Sequence, residues 1–177
     1  MLKQFACAVL LALTLAASAA AQDVTKATVP GVTNFAKVES TIACAGATTA
    51  AAVPEVKKLG YKSIINLRQP SEAGADVEAE AAAARQANIK YVHLPMNSAS
   101  PDPAIVEQFL QAVADPAGQP VFVHCASGNR AAALWMIKRM VVDGWDNERA
   151  SAEASALGLT SPALKTFAQD YAASHRK

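Results

Sequence analysis

Four residues separate Cys125 from Arg130 in the run His124-Cys125-Ala126-Ser127-Gly128-Asn129-Arg130. A thiol becomes a strong nucleophile once it loses its proton, and positive surroundings favour that loss. This run can supply them. Successive backbone N–H groups of a short loop can turn inward as a nest for an anion. A helix opening at the arginine adds its own free N–H groups and positive end. Arg130 carries a planar fork that matches an oxyanion, and Gly128 permits positive φ and close backbone approach. The expected chemistry is attack by a Cys125 thiolate on an electrophile held by Ala126, Ser127, Gly128, Asn129 and Arg130.

Stepping outward, the elements that must position this loop are legible as an alternation. Val121 to His124 is an apolar run and reads as a buried strand, with the chemistry at its carboxyl end, where open α/β sheets bind ligands. Val38 to Ala43, Ser63 to Leu67 and Lys90 to Leu94 read as further strands. Helices are expected over 50–59, 75–87, 104–114, 130–142, 146–156 and 161–173, from apolar spacing, alanine content and stop signals such as Gly60. Strands alternating with such helices imply an α/β fold, with a central parallel sheet of four to five strands flanked by helices. Residues 22–34, polar with Pro30 and Gly31, read as an extended arm, and residues 35–177 as one domain.

The loop sequence HCASGNR resembles the active-site loop of cysteine-dependent protein tyrosine and dual-specificity phosphatases. Upstream, ACAGATTAAAVPEVKKLGYKSIINLR and YVHLPM are similar to segments of a small bacterial phosphatase-like family that also occurs as a domain in beta-lactamase-hydrolase-like proteins. The resemblance spans about residues 35 to 142 and implies a cysteine-phosphatase-like fold. It also implies that Cys125 is the nucleophile, that Arg130 binds phosphate, and that His124 orients the loop and favours the thiolate.

The chain departs from that pattern in three places. The phosphatase loop has five residues between cysteine and arginine, where this chain has four, a spacing that also resembles the loop of rhodanese-type sulfurtransferases. Ala131 stands where the phosphatases carry a hydroxyl residue, a role Ser127 could take from within the loop. The resemblance puts a general-acid aspartate near Asn97, and Asp102 is the nearby carboxylate able to protonate a leaving oxygen or to cap a turn between two prolines.

Three functions remain open at this level: a hydrolase of phosphoesters working through a phosphocysteine, a sulfurtransferase carrying a persulfide from a sulfane sulfur donor on Cys125, and a non-catalytic oxyanion or phosphoprotein binder. The expected partner is a small-molecule or protein phosphoester, or that sulfur donor.

Cys44, in a loop before Gly46, is a possible redox partner of Cys125. His93, His124 and His175 are too scattered for a metal-ligand pattern, so no metal and no cofactor is expected. Arg68 ends a strand near the same sheet edge, where a salt bridge to Glu72 is the simplest role; Trp135 and Trp145 read as packing. Residues 1–21 combine Lys3, an apolar stretch and Ala19-Ala20-Ala21, the pattern of a signal peptide cleaved before Gln22, which implies a periplasmic or secreted protein with no membrane attachment after cleavage. Removing Lys3 leaves 15 acidic residues against an equal number of basic ones, a balance that gives no support for nucleic-acid binding.

Overall fold

The computed structural model describes residues 24–175. The expected signal segment and the first two residues of the arm lie outside the described residues. Six strands form one sheet in the order β1-β2-β3-β6-β4-β5. They are β1 Thr25–Lys26, β2 Ala36–Val38, β3 Ile42–Ala45, β4 Ser63–Asn66, β5 Lys90–His93 and β6 Val121–His124. β3, β6, β4 and β5 run parallel, as the alternation of strands and helices requires. β1 and β2 extend this sheet antiparallel at one edge, so the sheet is mixed and one strand larger than expected.

The strand expected over residues 38–43 is instead a hairpin. Ala36 and Val38 are buried with Lys37 exposed between them, and the chain reverses through Glu39, at φ 59°, before β3 begins at Ile42. Cys44 therefore lies inside a strand rather than in a loop. The physical reason is the period-two pattern of a half-buried edge strand, which starts earlier than the apolar run.

Six helices follow the expected stretches with shifted ends: α1 Val53–Lys58, α2 Val77–Gln86, α3 Pro103–Ala114, α4 Asn129–Val141, α5 Asn147–Leu157 and α6 Pro162–His175. Ala50–Ala52 is a 3-10 turn leading into α1. Asp76, Asp102 and Asp146 cap α2, α3 and α5 by accepting from the backbone N–H groups of Ala79, Ala104 and Arg149, each such cap being worth about 1 kcal/mol.

The sheet divides the interior into two cores. Ile42, Cys44, Ile65, Leu67, Val121, Val123 and Cys125 pack with residues of α3, α4, α5 and α6. Ala43, Ala45, Ile64 and Phe122 pack on the other face with Val53 and Val56 of α1 and Ala84 of α2. Successive residues of a strand point to opposite faces. That alternation decides the site: Cys125 faces α4, and His124 faces α2.

Candidate active site

β6 leads directly into Cys125, and Arg130 is the second residue of α4. Gly128 lies between them at φ 99° and caps α4. That left-handed conformation is open to glycine and strained for other residues. Cys125 is 1 % exposed, and its sulfur accepts the backbone N–H of Gly128 at 3.1 Å. A peptide N–H and the preceding C=O point in opposite directions. The inward N–H of Gly128 thus requires the Ser127 carbonyl to face away, and Asn34 Nδ2 meets it at 3.1 Å. Likewise the N–H of Ala47 donates to the Ala126 carbonyl at 2.9 Å, turning the N–H of Ser127 toward the opposite side. Gly46 makes this approach possible: a Cβ there would collide with Thr33 and crowd the Ala126 carbonyl at 3.3 Å. The nest is therefore oriented from outside, by residues 34 and 46–47. Asn129 fixes its other end, its Oδ1 accepting the N–H groups of Thr160 and Ser161 at 2.7 and 2.8 Å.

Arg130 is buried, and both of its Nη atoms are hydrogen-bonded. Its guanidinium donates to the carbonyls of Leu67 and Met96 at 2.9 and 2.7 Å, and to both carboxylate oxygens of Glu72 at 2.6 and 2.8 Å. Burial works against its charge, but the Glu72 hydrogen bonds and the nearby Cys125 outweigh it, and its pKa is raised. Burial likewise opposes ionisation of Glu72, and the bonds from Arg130 and the Gln69 backbone outweigh it, holding its carboxyl below the ordinary value. Glu72 also meets Arg68 at 3.5 Å, the salt bridge read from the sequence. Arg68 further donates to the carbonyls of Ala73 and Gly74, holding the turn that carries Glu72. Two guanidinium groups thus share one carboxylate, and the surplus positive charge lies beside Cys125.

On the far side of the sheet, His124 is wholly buried and its Nε2 lies 2.7 Å from Glu80 Oε1. Glu80 projects from α2, and Asn66 Nδ2 donates to its second oxygen at 2.9 Å. Asn66 Nδ2 also lies 2.9 Å from the Tyr91 hydroxyl, and its Oδ1 accepts the N–H of Arg68. This buried set ties the residue before Cys125 to the end of β4 and, through Asn66, to the backbone of Arg68.

The remaining residues singled out in the sequence fall elsewhere. Asp102 is exposed, and its Oδ1 accepts the Ala104 N–H at 2.9 Å, so the carboxylate serves the start of α3. Asn97 closes a turn by accepting the N–H of Ala99. The Ser127 hydroxyl lies 3.1 Å from Asn129 Nδ2, and Ala131 is buried at the start of α4. His93 Nε2 donates to the Arg68 carbonyl at 2.8 Å. Trp135 donates to Glu153, consistent with packing.

Both cysteines among the described residues are free thiols. Cys44 pairs with Val123 across β3 and β6, two residues before Cys125. Strand spacing and rise put the two cysteine Cα atoms about 8 Å apart, beyond the usual disulfide limit of about 7 Å. Burial, with Cys125 and Glu153 adding, pushes the Cys44 thiol far above its ordinary value, so Cys44 is an inert core thiol in this arrangement. Among the described residues no group of three or more His, Cys, Asp or Glu side chains could hold a metal ion, and no helix is long and apolar enough to cross a membrane.

Glu72, Glu80 and Asn34 are the site residues that sequence reading missed or assigned elsewhere. A signal existed for Glu80: it shares a helical face with Ala84, four residues on, and both are buried. An acid on the apolar stripe of a helix implies a buried partner.

Residues 32–142 match the family described as beta-lactamase hydrolase-like protein, phosphatase-like domain. The chain belongs to that family. Beta-lactamase hydrolase-like proteins of Xylella fastidiosa are 43% identical over 89 residues, covering 48% of this chain and 20% of theirs. The Agrobacterium fabrum relative is 32% identical over 105 residues, covering 57% of this chain and 24% of its own. The chain thus spans about a fifth to a quarter of the length of these curated relatives. Among solved structures, TpbA of P. aeruginosa is similar over 88% of this chain and 91% of its own, with 24% identity and a TM-score of 0.65. The core catalytic domain of PP-IP phosphatase SIW14 from S. cerevisiae, in complex with citrate, matches over 80% of this chain and 87% of its own, with 20% identity and a TM-score of 0.67. These likenesses establish the cysteine-phosphatase-like fold of the phosphatase-like domain.

Proposed function

We propose that this chain is a cysteine-dependent hydrolase of phosphoesters that works through a phosphocysteine intermediate. The observation that carries the proposal is a buried sulfur that accepts the N–H of Gly128, the N-cap of α4, and lies beside the Arg130 guanidinium, which shares Glu72 with a second arginine. Such preorganised donors are strongest where charge builds on the equatorial oxygens of a transferring phosphoryl group. Cys125 attacks phosphorus, the sulfur–phosphorus bond forms, and the bond to the leaving oxygen breaks. The leaving oxygen takes a proton from water. A second water attacks phosphorus, the sulfur–phosphorus bond breaks, and phosphate leaves with the thiolate regenerated.

The nearby carboxylates are engaged elsewhere: Glu72 with two arginines, Glu80 with His124 and Asn66, Asp102 with the start of α3. Without a free general acid the rate is lower by on the order of a hundredfold or more, and aryl esters, whose aryl oxide is a better leaving group than an alkoxide, are the favoured substrates. One of the solved neighbours, a TpbA variant, was crystallised with pTyr, an aryl ester of this kind.

The four-residue loop also favours a second reading, a persulfide carrier, because a single sulfur atom needs a smaller cage than a phosphoryl group. One experiment separates the two. The protein and Cys125→Ser are assayed side by side with p-nitrophenyl phosphate and with thiosulfate plus cyanide. Phosphate release lost in Cys125→Ser is the expected result. Thiocyanate formation with a persulfide mass shift on Cys125, and no phosphate release, would replace the first reading by the second.

A further inference from the structure

Beside the loop lies a groove of roughly 750 Å³, within the size range of ligand sites. It shares Ser127 and Asn129 with the nest, and Asn34, which orients the Ser127 peptide, forms part of its wall. Lys26 of the edge strand β1, the following Thr28 and Thr160 also line it. The wall is well ordered, because Asn129 bonds the turn before α6 at two backbone N–H groups.

The charge of this groove is one-sided. Among the described residues Lys26 contributes the only ionisable side chain of its lining. Lys26 is exposed on β1, the outermost strand of the sheet. An unpaired strand edge offers backbone donors and acceptors to an extended chain.

On the phosphatase reading above, we infer that this groove receives the leaving-group side of the substrate and selects an extended acidic peptide segment bearing the phosphoester. The loop would hold the phosphoryl group. The peptide would run over Ser127 and along β1, and an acidic side chain would meet Lys26. A lysine on a strand edge also discourages edge-to-edge association, but that role makes no distinction between substrates, which is what the test exploits.

Two phosphotyrosine peptides of equal length, one with flanking Asp and Glu and the other with Asn and Gln, are compared with p-nitrophenyl phosphate. The unmodified protein is expected to show kcat/KM at least fivefold higher for the acidic peptide. Lys26→Glu is expected to abolish or reverse that preference and to leave p-nitrophenyl phosphate within twofold. Thr28→Trp, which fills the groove from the arm, is expected to lower kcat/KM for both peptides about tenfold and to spare the small ester.

Equal effects of Lys26→Glu on all three substrates, or no preference in the unmodified protein, would overturn the inference. So would a Lys26 effect confined to small bis-anionic esters such as a sugar bisphosphate, which would assign the groove to that class. Peptide binding to Cys125→Ser, measured by titration, is a second readout. Tight binding of the acidic peptide that Lys26→Glu weakens, with no phosphate release from any ester, would retain the groove and reject the phosphatase reading.

Discussion

Helix α4 carries two buried arginines nine positions apart, and their surroundings differ. Arg139 is saturated: its guanidinium meets Glu153 at 2.8 Å, Asp143 at 2.9 Å and Glu39 at 2.6 Å, and it lies over the rings of Trp135 and Trp145. Three carboxylates around one cation leave no attraction for an incoming anion. Arg130 has one carboxylate, Glu72, which it shares with Arg68. Its other partners are the neutral carbonyls of Leu67 and Met96. Both groups are buried, so burial alone does not distinguish them. The local sum of charge does.

The sharpest way to break this comparison is to remove each cation in turn. Arg139→Met removes the cation shared by Glu39, Asp143 and Glu153, of which Asp143 keeps Lys138. It is expected to lower stability by about 3–5 kcal/mol, the range for breaking a buried ion pair, as read from the urea midpoint. Activity per folded molecule should stay within about threefold. Arg130→Lys keeps the charge and loses the fork, and it is expected to reduce kcat/KM for an aryl phosphate by about a hundredfold or more, with a smaller shift of the urea midpoint than Arg139→Met. If Arg139→Met cut activity as deeply as Arg130→Lys, the division between structural and binding arginine would be lost.

Acid sharpens the same contrast. The carboxyl of Glu72 is held below its ordinary value of 4.5 in the fold. Its contribution to stability is therefore fully present above pH 4.5 and is lost as pH falls through the lower folded value. Thermal unfolding followed downward from pH 5 should show this loss in the unmodified protein and a shallower decline in Glu72→Gln. Parallel curves for the two would mean that Glu72 is not held by Arg130 in solution.

The smallest effect is expected at Asp102. Asparagine caps helices about as well as aspartate, so Asp102→Asn should leave both Tm and kcat nearly unchanged. A fall in kcat approaching a hundredfold at unchanged Tm would give Asp102 the general-acid role after all.

The site was legible in the sequence where it is contiguous. Cys125, Gly128 and Arg130 lie within one turn-and-helix start, and local geometry forces them together. The parallel core was legible from alternating strands and helices. The edge hairpin was not, because β1 has only two residues and both are exposed. In the sequence Glu72 reads only as a partner for Arg68, and Glu80 only as part of an alanine-rich helix. Nothing local says that one turns toward Arg130, 58 residues away, or that the other reaches His124 through the sheet's second face.

The sequence by itself determined a strand ending in His-Cys, a glycine able to take positive φ, and an arginine at a helix start, because these depend on neighbours along the chain. Only the tertiary structure decided which peptides of the loop face inward, which carboxylates answer which arginine, and that Cys44 is locked in a strand. Those choices depend on sheet order, register and helix placement, and electrostatic balance is set by whatever the fold brings within a few ångströms.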